Sequence, residues 1–365
     1  MKKTIGFLVY DNRSGSTYLA SLLNNHPEIG VTIEAGFPDE VFGINDKSIR
    51  LETKDDVKAF LNRVYTDKKF VSWNLDYKKI LEKGIAKIPL FSHDFFYIFL
   101  ESYFQKYKPS ANVWIFKNTR SVPEIVPFLN RYPDAKFIHI YRDGRAVFDS
   151  KKRSIGSNTS WPMETDPIKA AKLWVNTMKM AEKAGRYNNF INIKYESLLV
   201  NPEKELKRIG NFLLGRNIDP RIFLDFSKNN DYSSLIPLSQ RHLHLDINKP
   251  PLLSKIDEWK KRLNPCEIWL YEMVARDVLS SYSYDLSANF DVTELRKFFI
   301  NLKCHMWLFW SRLLAFRRYF YLVTRPKLFR QKLVAFSKDR KTRSFCLKCI
   351  SKLAWLKNKV NITKG

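Results

Sequence analysis

Four cysteines (Cys266, Cys304, Cys346 and Cys349) in 365 residues are too few for a disulfide framework. Cys346 and Cys349 form a single CxxC with no second pair and no nearby histidine, so they read as two thiols on a basic helix, not as a zinc or redox site. The apolar run around Met306 is cut by Arg312, Arg317 and Arg318, well short of the about 20 residues that a spanning helix needs. At the start, Lys2 and Lys3 precede an apolar run that ends after six residues at Asp11. That is too short for the core of a signal peptide, so the expectation is residence in the cytoplasm. Acidic residues are also scarce: 37 Asp and Glu face 63 Lys and Arg, for a net charge of +26. Such an excess calls for an anionic partner. No zinc-finger, RNP-like or basic-zipper pattern accompanies it, so nucleic acid is not the expected one.

The chain is organised around residues 5–34. Ile5 to Tyr10 is an apolar run with the length and branching of a buried strand. Asp11 to Thr17 forms a small polar turn, and Tyr18, Leu19, Leu22 and Leu23 then recur at helical spacing. The helix should end near Asn24–Asn25, ahead of His26–Pro27. Strand, tight loop and helix point backbone N–H groups at one anion, with the positive end of the helix dipole behind them. A nucleotide-triphosphate loop would carry Lys directly before Ser16. Here Gly15 stands in that place, and the charge is Arg13 instead.

Further along, residues 55–66 and 93–107 read as helices, the latter so rich in aromatics that it should pack on a sheet. Strands are expected at Val113–Phe116, Lys136–Tyr141 and Phe190–Tyr195, with helices at 122–132, 146–152, 167–184 and 202–214. Alternating short strands and helices predict an α/β fold, a central parallel sheet with helices on both faces. Ligands in such sheets sit at the carboxyl ends of the strands. Arg13, Lys117 and Arg142 each fall just past a predicted strand end. The boundaries expected are a catalytic domain over 1–289 and a basic, aromatic-rich helical extension over 290–365. Residues 291–365 hold 19 Lys/Arg against 3 Asp/Glu, a net of +16.

These residues together resemble the sulfotransferase family that uses 3′-phosphoadenosine-5′-phosphosulfate (PAPS). Asn12-Arg13-Ser14-Gly15-Ser16-Thr17 is similar to its 5′-phosphosulfate loop, and Phe137 to Ser150 to its 3′-phosphate motif, in which an Arg and a Ser eight positions on grip the phosphate. Tyr195-Glu196-Ser197-Leu198, followed by Asn201-Pro202-Glu203, resembles the next landmark, whose Tyr lies near the cofactor. Residues 255–285 look like the closing helices. The resemblance spans about residues 1–287. Around Asn24 to Glu28, with Glu34 downstream, it is most similar to tyrosylprotein sulfotransferases and their bacterial relatives.

The resemblance implies a P-loop-like sulfotransferase fold, PAPS as sulfate donor and no metal. It implies Glu34 as general base and Lys117 against the leaving group. Arg13, Ser14, Gly15, Ser16 and Thr17 would hold the 5′-phosphosulfate, and Arg142 and Ser150 the 3′-phosphate, with Tyr195 nearby. His26 and His93 are rival bases, His26 better suited to shaping its turn. Arg145 and Arg153 are further basic candidates. Two departures stand out. Ser154 occupies a position that is basic in the tyrosylprotein enzymes, and Glu258, not Lys, precedes Trp259. Lys255 or Arg241 would have to substitute for that lysine. The expected acceptor is a hydroxyl of a glycan or glycolipid, met by loops 35–55, 84–97 and 153–166. Residues 294–323, dense in Trp, Phe, Leu and Arg, suit a helix lying on the inner face of an anionic membrane, or a helical bundle packed on the catalytic domain or a partner subunit. A nucleotide kinase or NTPase with an atypical loop, and a membrane-binding adaptor, are the alternatives.

Overall fold

In a computed structural model of the chain, the described residues are 3–35, 41, 48–118, 132–154, 162–225, 229–237, 249–288 and 293–323. The strand that the apolar run foretold, β1 (Thr4–Tyr10), is the middle of the main sheet. Phe7, Leu8 and Val9 are wholly buried, as a strand covered on both faces requires. The rings of Phe96 and Phe137 stack on Phe7 at 5.6 and 4.8 Å between centroids. Large aromatics packed this way dominate the energetics of a core.

Seven strands occur among the described residues: β1, β2 (Ile29–Val31), β3 (Arg50–Leu51), β4 (Leu90–Phe91), β5 (Val113–Asn118), β6 (Lys136–Tyr141) and β7 (Phe190–Lys194). Five make one parallel sheet in the order β2-β5-β1-β6-β7, while β3 and β4 pair antiparallel on their own. The fold is therefore α/β, as the alternation of strands and helices indicated. β2 was not foreseen; three residues after a proline carry no readable period. Lys117 lies inside β5, opposite Leu8 of β1, and not beyond its end.

The helices are α1 (Ser16–Asn24), α2 (Lys54–Val64), α3 (Lys68–Val71), α4 (Tyr77–Ile85), α5 (Asp94–Tyr107), α6 (Gly144–Arg153), α7 (Pro167–Ala184), α8 (Tyr195–Val200), α9 (Pro202–Leu214), α10 (Asn229–Leu235), α11 (Glu258–Arg262), α12 (Pro265–Ser281) and α13 (Glu294–Val323). Six of their starts are capped by a side chain. Thr53 and Asp56 form a capping box on α2, as do Asn264 and Glu267 on α12, and Asp166 caps α7. The helix expected at 122–132 lies outside the described residues but for Tyr132, and the CxxC at 346–349 lies outside them altogether.

The chain divides into two compact units, one of residues 1–157 and 162–289, the other of 158–161 and 290–365. In the second, α13 displays Leu295, Phe298, Phe299, Leu302, Met306, Phe309, Trp310 and Leu313 to solvent. At 100° per residue these eight positions fall on one stripe. Among the described residues no helix is long and apolar enough to cross a membrane.

Candidate active site

β1 delivers the chain to a turn held by the Ser14 N–H, which donates to the Asp11 carbonyl at 3.2 Å. Arg13 (φ 74°) and Gly15 (φ 90°) are both left-handed. For Arg13 this conformation costs on the order of 1 kcal/mol, and such strain persists where a site demands the shape. Gly15 is the N-cap of α1 and no side chain caps that helix. The first-turn amides of α1 thus have no partner within the helix, and its positive dipole end faces the loop. A Cβ on Gly15 would fall well under 3 Å from the Tyr195 ring. Tyr195 therefore packs directly against the loop, which only glycine allows.

Three cations converge here. Arg13 Nε donates to Ser150 Oγ at 2.9 Å, bridging the first loop to α6. Arg142, at the end of β6, lies over the Tyr195 ring at 4.7 Å and donates through Nη2 to the Lys255 carbonyl at 2.6 Å. Its Nε is buried without a hydrogen-bond partner among the described residues. Burial, then Arg142 and Arg153, lower the pKa of Arg13 from its ordinary value, so the guanidinium groups press on one another. Lys117 Nζ donates to Thr17 Oγ1 at 2.9 Å and is nearly enclosed. Burial is the main cause that lowers its pKa to about 8; Glu34 opposes this, while Lys69 and Arg13 add to it.

Glu34 follows β2. Its backbone approach is fixed by Tyr232, whose hydroxyl donates to the Thr32 carbonyl, and by Trp73, whose indole N–H donates to the Ile33 carbonyl. Its carboxylate pairs with Lys69 of α3. Glu34 and Lys117 bear on each other electrostatically, so carboxylate and ammonium share one site. Tyr10, at the end of β1, is buried with its hydroxyl within reach of Ser16 and Glu34. Burial and the Glu34 charge raise its pKa well above the ordinary value, keeping it neutral.

The structure redistributes several expected partners. Ser150 receives Arg13, while Arg142 engages Tyr195 and the backbone of Lys255. Arg145 is not a surface cation. It is buried between Asp143 and Glu272, donates to the Asp285 carbonyl at 2.8 Å and lies 4.2 Å from the Trp259 ring centre. Arg153 pairs with Asp149 from a half-exposed position. His26 accepts the Glu28 N–H through Nδ1 and packs on Phe223, which is the turn-shaping role. His93 stacks on Phe91 beside Asp94. Arg241 lies outside the described residues. Sequence reasoning missed Lys69, because Asp67-Lys68-Lys69 reads as a solvated charge run.

An uncapped helix start, two arginines, an enclosed lysine and a buried N–H donor without acceptor make a set rich in donors and poor in anionic oxygen. Such a set fits a ligand with several anionic oxygens. Among the described residues no group of three or more His, Cys, Asp or Glu is placed to hold a metal ion.

The model of the sulfotransferase family matches residues 7–219. Among solved structures, the sulfotransferase domain of the Synechococcus PCC 7002 olefin synthase is 19% identical at a TM-score of 0.52, over 78% of this chain and 97% of that one. The sulfotransferase domain of the curacin biosynthetic pathway is 17% identical at the same TM-score, over 78% and 99%. At these identities the likeness is one of fold. No curated protein matches the chain.

Proposed function

This chain belongs to the sulfotransferase family, and from that premise we propose that it moves a sulfuryl group from PAPS to a hydroxyl of a glycan or glycolipid. One observation carries the donor assignment: Arg13 of the first loop meets Ser150 of α6 while Arg142 presses on Arg13, so both phosphate motifs face one place. Bound there, PAPS supplies the sulfuryl group and the phosphate that leaves it.

The residues divide the work by chemistry. Arg13, the α1 amides and the hydroxyls of Ser14, Ser16 and Thr17 bind the 5′ end, where a helix start favours negative charge. Arg142 offers its unpartnered Nε to the 3′-phosphate, with Ser150 and the Lys255 turn beside it. Tyr195 walls the loop. Lys117 is a compact charge that offsets the negative charge growing on the leaving oxygen. Glu34 accepts the proton of the acceptor hydroxyl. Sulfuryl transfer resembles phosphoryl transfer, in which positioning and charge do most of the work.

The acceptor assignment rests on α13. Its eight-residue apolar stripe belongs to a helix carrying six Lys/Arg and one Glu. Like charge along one helix disfavours pairing two copies, whereas anionic headgroups complement it. We assign an anionic membrane surface on the cytoplasmic side as the partner, which favours the hydroxyls of lipid-borne acceptors.

Purified protein should bind 3′,5′-adenosine bisphosphate, and Arg142→Ala should weaken binding about 10–100-fold, the loss of a charge-assisted contact. Equal affinity would remove the 3′-phosphate assignment. Incubation with radiolabelled PAPS and cell-envelope extract should label the glycan or glycolipid fraction; label confined to protein would overturn the acceptor. Phe298→Glu with Phe309→Glu, in the full chain, should abolish sedimentation with phosphatidylglycerol vesicles.

A further inference from the structure

Glu34 does not stand alone. Segment 32–34 is tied down at nearly every residue: Thr32 N–H donates to the Ile115 carbonyl at 2.9 Å, and the Thr32 hydroxyl accepts the Lys117 N–H at 3.1 Å. The Ile33 N–H donates to the Tyr103 hydroxyl and its carbonyl accepts the Trp73 indole, both at 3.2 Å. The Glu34 side chain is then the remaining freedom, and Lys69 takes it up. Lys69 and Trp73 come from one short stretch anchored by Phe70, whose ring is buried against Phe99 at 4.7 Å between centroids. Asp67 caps that stretch by accepting the Phe70 N–H at 2.7 Å. One segment therefore clamps residues 33 and 34 at two points, backbone and carboxylate.

We propose that Lys69 is a positioning residue of the transfer site: its ammonium holds the Glu34 carboxylate in place beside Lys117. This rests on the reading of Glu34 as the proton acceptor. The pair is 33% and 19% exposed at its two side chains, so water screens it only in part. The groups that face Glu34 are Lys69 from α3, Lys117 from β5, Tyr10 from β1 and Tyr232 from α10. The two members of the pair have opposite consequences for Lys117. Glu34 draws the Lys117 proton on; Lys69 repels it, and is the smaller influence. That difference turns the proposal into a test of sign.

The test titrates Lys117 by ¹⁵N-lysine NMR in the full chain, its signal assigned by disappearance in Lys117→Arg. If Lys69 holds Glu34, Lys69→Met frees the carboxylate. Lys117 then loses its larger influence, and its midpoint falls below about 8, toward the value in Glu34→Gln. If Lys69 is merely a neighbour, only its repulsion disappears and the midpoint rises. Lys69→Arg should restore the wild-type midpoint. Affinity for 3′,5′-adenosine bisphosphate should stay within about twofold in Lys69→Met, showing an intact donor site. A rise, or no movement, overturns the proposal. The base assignment is judged separately, by turnover of Glu34→Gln, so failure of one is distinguishable from failure of the other.

Discussion

Lys117 gives donor binding a built-in dependence on pH. Burial lowers its pKa to about 8 in the free protein, so the ammonium is the disfavoured form there. Contact with an anionic phosphate favours the charged form and raises the pKa. The free protein thus loses the proton as pH rises through about 8, while the bound protein keeps it. At pH 7 Lys117 is charged in both states and adds no dependence on pH. Above pH 8 each unit of pH costs one decade. Between pH 7 and pH 9 the Kd for 3′,5′-adenosine bisphosphate should rise about tenfold, or about 1.4 kcal/mol. At pH 8 binding should take up about 0.5 proton. Calorimetry in two buffers of different ionisation enthalpy measures both quantities. The ligand's own phosphate ionises near pH 6 and is spent by then. In Lys117→Met the uptake should vanish and the weaker affinity should not vary with pH. A flat Kd from pH 7 to 9 in the wild type, or the same uptake in the variant, would refute the placement of Lys117 against the phosphate.

Glu34→Gln should leave the affinity for 3′,5′-adenosine bisphosphate within about twofold while turnover falls about 10²–10⁴-fold, the usual worth of a general base; unchanged turnover would pass the role to His93. Gly15→Ala meets two obstacles at once, a left-handed φ of 90° and the Tyr195 ring, so both Tm and donor affinity should drop together. If Gly15→Ala binds as the wild type does, the loop is not the donor's seat. Arg145→Met should lower stability by about 3–5 kcal/mol, read from the urea midpoint, because Asp143 and Glu272 are left as buried, uncompensated charges.

How much of this was legible from the chain depends on the distance over which each feature is decided. β1, its turn and α1 rest on neighbours within a few residues, and Ile5 to Leu23 displays them openly. The same holds for α7 and α9, each begun by a proline at its first turn. β2 did not show, since three residues cannot display a period and its place at the sheet edge is set by β5. Lys69 could not show either: its partner is 35 residues away, and nothing in Lys68-Lys69 separates one ammonium from the other. Ser150 was singled out by the resemblance of Phe137 to Ser150 to a family motif, yet its hydrogen bond goes to Arg13, 137 residues distant. Composition and periodicity report what a residue is able to do; partners are settled by topology.

Arg142-Asp143-Gly144-Arg145 shows why a four-residue motif resists division into structure and function. Its first arginine faces the site over Tyr195, and its second is sunk between carboxylates. Asp143 caps α6 through the Arg145 N–H, and its own N–H donates to Glu196 at 3.0 Å. Gly144 leaves room for Trp174 and the Tyr271 hydroxyl, which any Cβ would strike. Glu272 also receives the Ser287 and Ala288 N–H groups, so Arg145 ties the end of β6 to the closing helices and the chain that follows them. The Lys255 carbonyl, from the same closing region, then fixes the Arg142 guanidinium directly. The two arginines are thus coupled: Arg145 holds the turn, and the turn aims Arg142. Arg145→Met in chains that remain folded should therefore weaken donor binding as well as stability, although Arg145 itself touches no ligand. A destabilised variant with undiminished affinity for 3′,5′-adenosine bisphosphate would show that the aim of Arg142 is set by Lys255 alone.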